Sequence, residues 1–146
     1  MKYNLIDATE NDVDVLIKYK LANILDYAKK LSTEEISKIR TYVNSHIPKQ
    51  LDNYRMITYD NRIIGCILVE KKDANVLLDE IYIEENYRNK GLGTKLIKDV
   101  ILNNDIIYLW VYKENVIAIS LYKKLGFNTI EETETRLYMV NRNGGK

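Results

Sequence analysis

Apolar and polar residues alternate from Lys2 to Ala8, the two-residue period of a strand with one buried face. The period then changes. Thr9-Glu10-Asn11-Asp12 supplies capping side chains and acids that suit a helix start. Val13, Leu16, Ile17, Leu21, Ile24 and Leu25 follow at helical spacing. A second helix is predicted from Thr33 through Ile36, Ile39 and Val43. It should end before Pro48, whose ring and missing N–H break helices.

From Tyr54 the period returns to two. Tyr54 to Tyr59 reads as a strand, Asp60-Asn61 as a hairpin turn tolerant of positive φ, and Arg62 to Lys71 as a mostly apolar strand. Asp73-Ala74-Asn75 turns the chain again into a third strand, Val76 to Ile83. A glycine-containing loop leads to a helix with Leu92, Leu96, Ile97, Val100 and Ile101 on one side. Ile106 to Tyr112 is a strand, Asn115 to Leu125 a helix stopped by Gly126, and Phe127–Ile130 and Arg136–Val140 closing strands. The tail Asn141 to Lys146 reads as frayed. The order β-α-α-β-β-β-α-β-α-β-β predicts an α/β fold, a mixed sheet with helices on both sides.

The 146 residues fit one domain, 1–146, large enough to bury roughly two-thirds of its unfolded surface without disulfides or metals. A net charge of +1, from 22 basic and 21 acidic residues, argues against a nucleic-acid-binding face. One cysteine, Cys66, excludes an internal disulfide and suits a reducing cytoplasm; in its apolar strand it reads as a small hydrophobe. His46 is the sole histidine, so a zinc site has no ligand set, and no metal is expected. No apolar run approaches the roughly 18 residues that span a membrane. The first residues turn polar too soon for a signal peptide. A monomer or homodimer free of the membrane is the expectation.

The chemistry concentrates after the third meander strand. In Ile81-Tyr82-Ile83-Glu84-Glu85-Asn86-Tyr87-Arg88-Asn89-Lys90-Gly91-Leu92-Gly93-Thr94 a strand ends, Arg88 and Lys90 follow, and two glycines open a helix. Glycine lets backbone N–H groups converge, and a helix N-terminus adds unpaired donors and a positive dipole end, so the place suits a phosphate or pyrophosphate. A Rossmann fingerprint needs a small residue where Leu96 stands, and Gly91 to Lys95 does not supply a P-loop. A lone Gly-x-Gly is equally compatible with a loop that merely needs flexible residues.

A second segment narrows the choice. Asn115, Ala118, Tyr122, Gly126 and Phe127 stand in an Asn-x-x-Ala-x-x-x-Tyr-x-x-x-Gly-Phe array. With Arg88-x-x-Gly91-x-Gly93, and at that separation, the chain resembles the GNAT N-acetyltransferase superfamily over essentially its whole length. Glu85 stands where the family often has proline.

The resemblance implies acetyl-CoA as cosubstrate and direct attack of an amine on its thioester. Strands Val76–Ile83 and Ile106–Tyr112 are then expected to splay, with pantetheine pairing to the main chain of Ile81, Tyr82 and Ile83. The pyrophosphate is expected on the N–H groups of Asn89, Lys90, Gly91, Leu92, Gly93 and Thr94, beside Arg88. Asn115 and Ala118 are expected near the cofactor arm, with Asn115 also capping its helix. By the same resemblance Tyr122 is the proton donor to the leaving thiolate; otherwise it is a helix tyrosine packed on the sheet. Glu80 is the best-placed carboxylate for a base, with Asp79 on the opposite face, and is as readily a solvated strand side chain. Tyr108, Trp110 and Tyr112 share one strand face, read as core or helix packing in preference to a pocket wall.

The acceptor is not fixed by any of this. Small-molecule amines, polyamines, aminoglycosides, protein amines and aminoacyl-tRNA are all open, the last disfavoured by charge. The helices between Asn11 and Pro48, which shape the acceptor side in such folds, carry mixed charges at Glu34, Glu35, Lys38, Arg40 and Lys49. A non-catalytic acyl-CoA-binding sensor or interaction module is the competing class; Tyr122 argues against it.

Overall fold

A computed structural model describes residues 2–27 and 30–142. The elements follow the expected order: β1 (Asn4–Asp7), α1 (Val13–Tyr27), α2 (Thr33–Lys49), β2 (Tyr54–Tyr59), β3 (Arg62–Lys72), β4 (Asn75–Ile83), α3 (Leu92–Asn103), β5 (Ile107–Tyr112), α4 (Val116–Lys124), β6 (Asn128–Glu132) and β7 (Arg136–Asn141). They form one seven-stranded sheet in the order β1-β2-β3-β4-β5-β7-β6, in which only β4 and β5 run parallel.

Local chemistry sets the boundaries. Thr9 and Ser32 each close a capping box, with Asp12 and Glu35 reaching back to the cap N–H. Asp60 and Asn61 both take positive φ, 53° and 61°, as a tight hairpin with right-handed strands requires. Two boundary expectations fail. Helix α2 runs through Pro48 to Lys49. In the last turn proline forfeits a single backbone bond, and buried Val43 and Ile47 hold that turn on the sheet. Asn141 is the last residue of β7, fully buried, and its side-chain amide donates to the Leu125 carbonyl at 3.0 Å. Residues 143–146 of the expected frayed tail lie outside the described residues.

Helices α1 and α2 cover one face of β2, β3 and β4, burying Leu16, Tyr19, Val43 and Ile47 against Tyr54, Met56, Cys66 and Leu68. On the other face α3 and α4 bury Leu96, Ile97 and Tyr122 against Ile57, Ile67, Leu78, Leu109 and Phe127. Each such aliphatic side chain contributes roughly 1.5–3 kcal/mol, and the two layers fix the sheet between them.

Strand β4 is irregular in two ways. Leu78 pairs with Val69 and Glu80 with Leu68, so Asp79 is an extra residue, a bulge. The bulge turns Asp79 and Glu80 to the same face. The opposite-face expectation for Asp79 is therefore wrong: its carboxyl stands close enough to Glu70, and to Lys20 on α1, to act on both from the α1–α2 side. Beyond the bulge Ile81 and Ile83 pack with α3, while Tyr82 joins the α1–α2 layer. At the same level β4 and β5 part: their ladder pairs Val76–Ile107, Leu77–Tyr108 and Leu78–Leu109 and goes no further.

Candidate active site

The parted strands leave a V between Asp79–Ile83 and Trp110–Tyr112, and α3 starts at its β4 side. Gly91 caps α3 in the left-handed region, φ 81°, which glycine adopts without cost, and Asn89 stands at φ 62°. A side chain added at Gly91 would meet nothing of the protein within 4 Å. The glycine thus answers the backbone turn and leaves open the space above the first N–H groups of α3. Leu92 is buried, so only its main chain is available there; Gly93 and Thr94 are half-buried in the same turn.

The two cations of the loop are differently used. Arg88 donates from Nε to the Ile83 carbonyl at 2.6 Å, and its guanidinium lies 5.1 Å from the Tyr82 ring centre. It ties the loop back to the end of β4. Lys90 is exposed and donates to the Asn86 carbonyl at 3.2 Å.

Across the V, α4 begins at Asn115, whose side chain accepts from the Ala118 N–H at 3.2 Å. One turn on, Tyr122 is buried among Leu78, Leu109, Val111 and Phe127, its ring 5.6 Å from that of Phe127. Burial pushes its phenol up to about 12, and the phenol of Tyr27 at the end of α1 adds to the rise. Tyr122 therefore stays protonated at neutral pH.

Glu80 is not a solvated strand carboxylate. It is 3% exposed, accepts a 2.5 Å hydrogen bond from Tyr54 Oη and lies 3.4 Å from Lys20 Nζ. Burial raises its pKa more than Lys20 and Tyr54 lower it. At Lys20 the balance reverses: burial lowers, but the Glu80 and Asp79 carboxylates win and the lysine is held charged.

Two contributors escaped the sequence reading. Lys20 lies four residues after buried Leu16, on the helix stripe that faces the sheet, and a lysine on that stripe is a signal of a buried partner. Tyr19 donates to Glu84 at 2.5 Å and stacks on Tyr82 at 4.7 Å, linking α1 to the loop before α3. That contact joins residues 65 apart and leaves no local trace. Among the described residues no cluster of three metal-ligating side chains forms, and no helix is long and apolar enough to cross a membrane.

The chain is 38% identical over 64 residues to a spermine/spermidine N(1)-acetyltransferase of Bacillus subtilis, covering 40% of this chain and 42% of that protein. It is 31% identical over 115 residues to a spermidine N(1)-acetyltransferase of Escherichia coli, covering 73% and 62%. It thus spans less than two-thirds of the length of these curated relatives. The PaiA N-acetyltransferase of Thermoplasma acidophilum, solved in complex with coenzyme A, superposes with a TM-score of 0.79 over 97% of this chain and 99% of that one at 19% identity, a likeness of fold. The model of the acetyltransferase (GNAT) family matches residues 21–127, well over half the chain, and by that match the chain belongs to the GNAT acetyltransferase family.

Proposed function

We propose that the protein is an acetyl-CoA-dependent N-acetyltransferase acting on a small-molecule primary amine. The observation that carries this reading is the parting of β4 and β5 after Leu78 and Leu109, with the open N-terminus of α3 on one side and the protonated Tyr122 on the other. The pyrophosphate binds the N–H groups of Asn89 to Thr94, with Lys90 as counter-charge and Arg88 steadying the loop. Pantetheine runs along Ile81, Tyr82 and Ile83, past Asn115 and Ala118, and brings the thioester to the mouth of the V. Relatives named for spermine and spermidine favour a small amine over a protein acceptor.

The amine arrives as an ammonium, pKa ~10.4, and must lose a proton before attack. Glu80, its pKa raised by burial, takes that proton through a water. The N–C bond forms, the tetrahedral oxyanion is met by backbone donors of the bulged strand, and the C–S bond breaks. Tyr122 protonates the leaving thiolate and is reprotonated from the new amide nitrogen. Of the two protons lost by the ammonium, one ends on the thiol and one in solvent. A reducing cytoplasm suits both the cosubstrate and the buried free thiol of Cys66.

Release of CoA thiol from acetyl-CoA tests the reading. An amine-dependent release above the hydrolytic background, falling about 10²–10⁴-fold in Tyr122→Phe, is expected. Tight acetyl-CoA binding without turnover on any amine would instead make the chain an acyl-CoA sensor.

A further inference from the structure

Over β5 and β7 one face of the sheet is left uncovered by helices among the described residues. The buried layer under α1 and α2 takes its strand residues from β2, β3 and β4, and α4 lies on the opposite face of β5 and β7. Tyr108, Trp110 and Tyr138 stand on that open face, half-buried. Of the core or helix packing expected for Tyr108, Trp110 and Tyr112, the helix is not seen over Tyr108 and Trp110 among the described residues. The rings pack on one another: Tyr138 lies 5.5 Å from Tyr108 at an interplanar angle of 8°, and 4.5 Å from Trp110.

Three features give this strip a ligand chemistry. The guanidinium of Arg136, an exposed residue, sits 4.7 Å over the Trp110 ring, so the chain itself brings a cation there. Carboxylates flank the strip: Glu131 faces Tyr138 in register, and the Asp79–Glu70 pair stands on the β4 side, with Lys72 beside Glu70. The cation nearest the bulge, Lys20, is engaged by Glu80. Finally, Trp110 is the first β5 residue beyond Leu109, where the β4–β5 ladder ends, so the strip opens directly on the V.

We infer that Tyr108, Trp110 and Tyr138 are the specificity surface of the acceptor site and hold a second ammonium group of a linear diamine or polyamine while its terminal primary amine enters the V. This rests on the chain being a small-amine acetyltransferase. An aromatic face attracts a cation without demanding its exact position, which suits flexible chains whose nitrogens differ in spacing.

The probes are 1,6-diaminohexane and n-hexylamine, which differ only in the distal ammonium, at saturating acetyl-CoA with thiol release as readout. The wild-type protein should prefer the diamine by about tenfold in kcat/KM, through KM. Trp110→Leu and Tyr138→Leu should each erase most of that preference, read as the ratio of diamine to hexylamine kcat/KM within each variant. Arg136→Ala removes a competing cation without touching a ring and should lower the diamine KM, which keeps the test sharp if a ring variant misfolds. Equal use of the two amines by the wild type, or a diamine KM indifferent to Arg136→Ala, overturns the inference and leaves the acetyltransferase reading standing. If neither amine releases thiol although acetyl-CoA binds, the small-amine reading falls together with it.

Discussion

Burial acts on two proton-carrying groups of the site in the same direction and with opposite uses. It holds Tyr122 protonated, as the proposed donor must be, and it raises the pKa of Glu80, the direction the proposed base needs. Tyr122→Phe keeps the ring in its pocket beside Phe127 and removes the proton, so kcat should fall about 10²–10⁴-fold at unchanged acetyl-CoA affinity, read by steady-state kinetics and calorimetry. Full activity would reduce Tyr122 to packing. For Glu80 the acidic limb of kcat/KM should lie above the ordinary glutamate value of ~4.3 and vanish or move in Glu80→Gln. Stability gives an independent check. A carboxyl whose folded pKa is raised binds its proton more tightly in the native state, so its contribution is present below ~4.3 and is lost as pH rises through the folded value. Melting temperature across that window should decline more steeply with pH in the wild type than in Glu80→Gln. An unchanged rate profile in that variant assigns deprotonation elsewhere. Loss of Lys20 would leave the buried carboxylate uncompensated, and Lys20→Ala should cost about 3–5 kcal/mol in denaturant unfolding.

At the scale of elements, β4 carries the design. Its bulge turns Asp79 and Glu80 to one face, and its far half leaves β5. Gly65 on β3 lets the two chains approach there: a Cβ on it would overlap the Tyr82 carbonyl oxygen and lie 3.1 Å from Ile83 Cα. Gly65→Ala should destabilise by about 1–3 kcal/mol and raise the KM for acetyl-CoA by shifting the edge proposed to receive pantetheine, whereas a KM equal to wild type would detach that edge from cofactor binding. This is also where the sequence stops being readable. The glycine loop and the Asn115 cap were legible because their causes are local: positive φ, an N-terminal dipole, a side chain three residues from its N–H. The bulge was not, since reading Val76–Ile83 as a regular strand puts the adjacent acids Asp79 and Glu80 on opposite faces and marks neither as an extra residue. Pro48 misled for the same kind of reason: tertiary packing of Ile47 outweighed a local rule.

For the molecule as a whole, a sheet closed at one end and parted at the other separates two approaches to one cleft. The glycine loop lies on the α3–α4 side; the buried carboxylate of Glu80 and the aromatic strip lie on the other, and the proposed acceptor approach is from there. The order of elements, with helices on both sides of a mixed sheet, was legible from periodicity together with the cap and turn residues. The Lys20–Glu80 and Tyr19–Glu84 contacts that connect its halves were not, because they join residues about sixty apart. The plan makes binding of acetyl-CoA independent of the acceptor, and that can be measured without knowing the acceptor. At a hundred times Kd a ligand of the native state adds about 2.7 kcal/mol, a rise of roughly 8 °C in Tm for a chain of this size. The account predicts such a rise for the wild-type protein with acetyl-CoA alone and none for Gly91→Glu, whose carboxylate would occupy the open space at the α3 N-terminus. A wild-type melting curve that saturating acetyl-CoA leaves unmoved would contradict it.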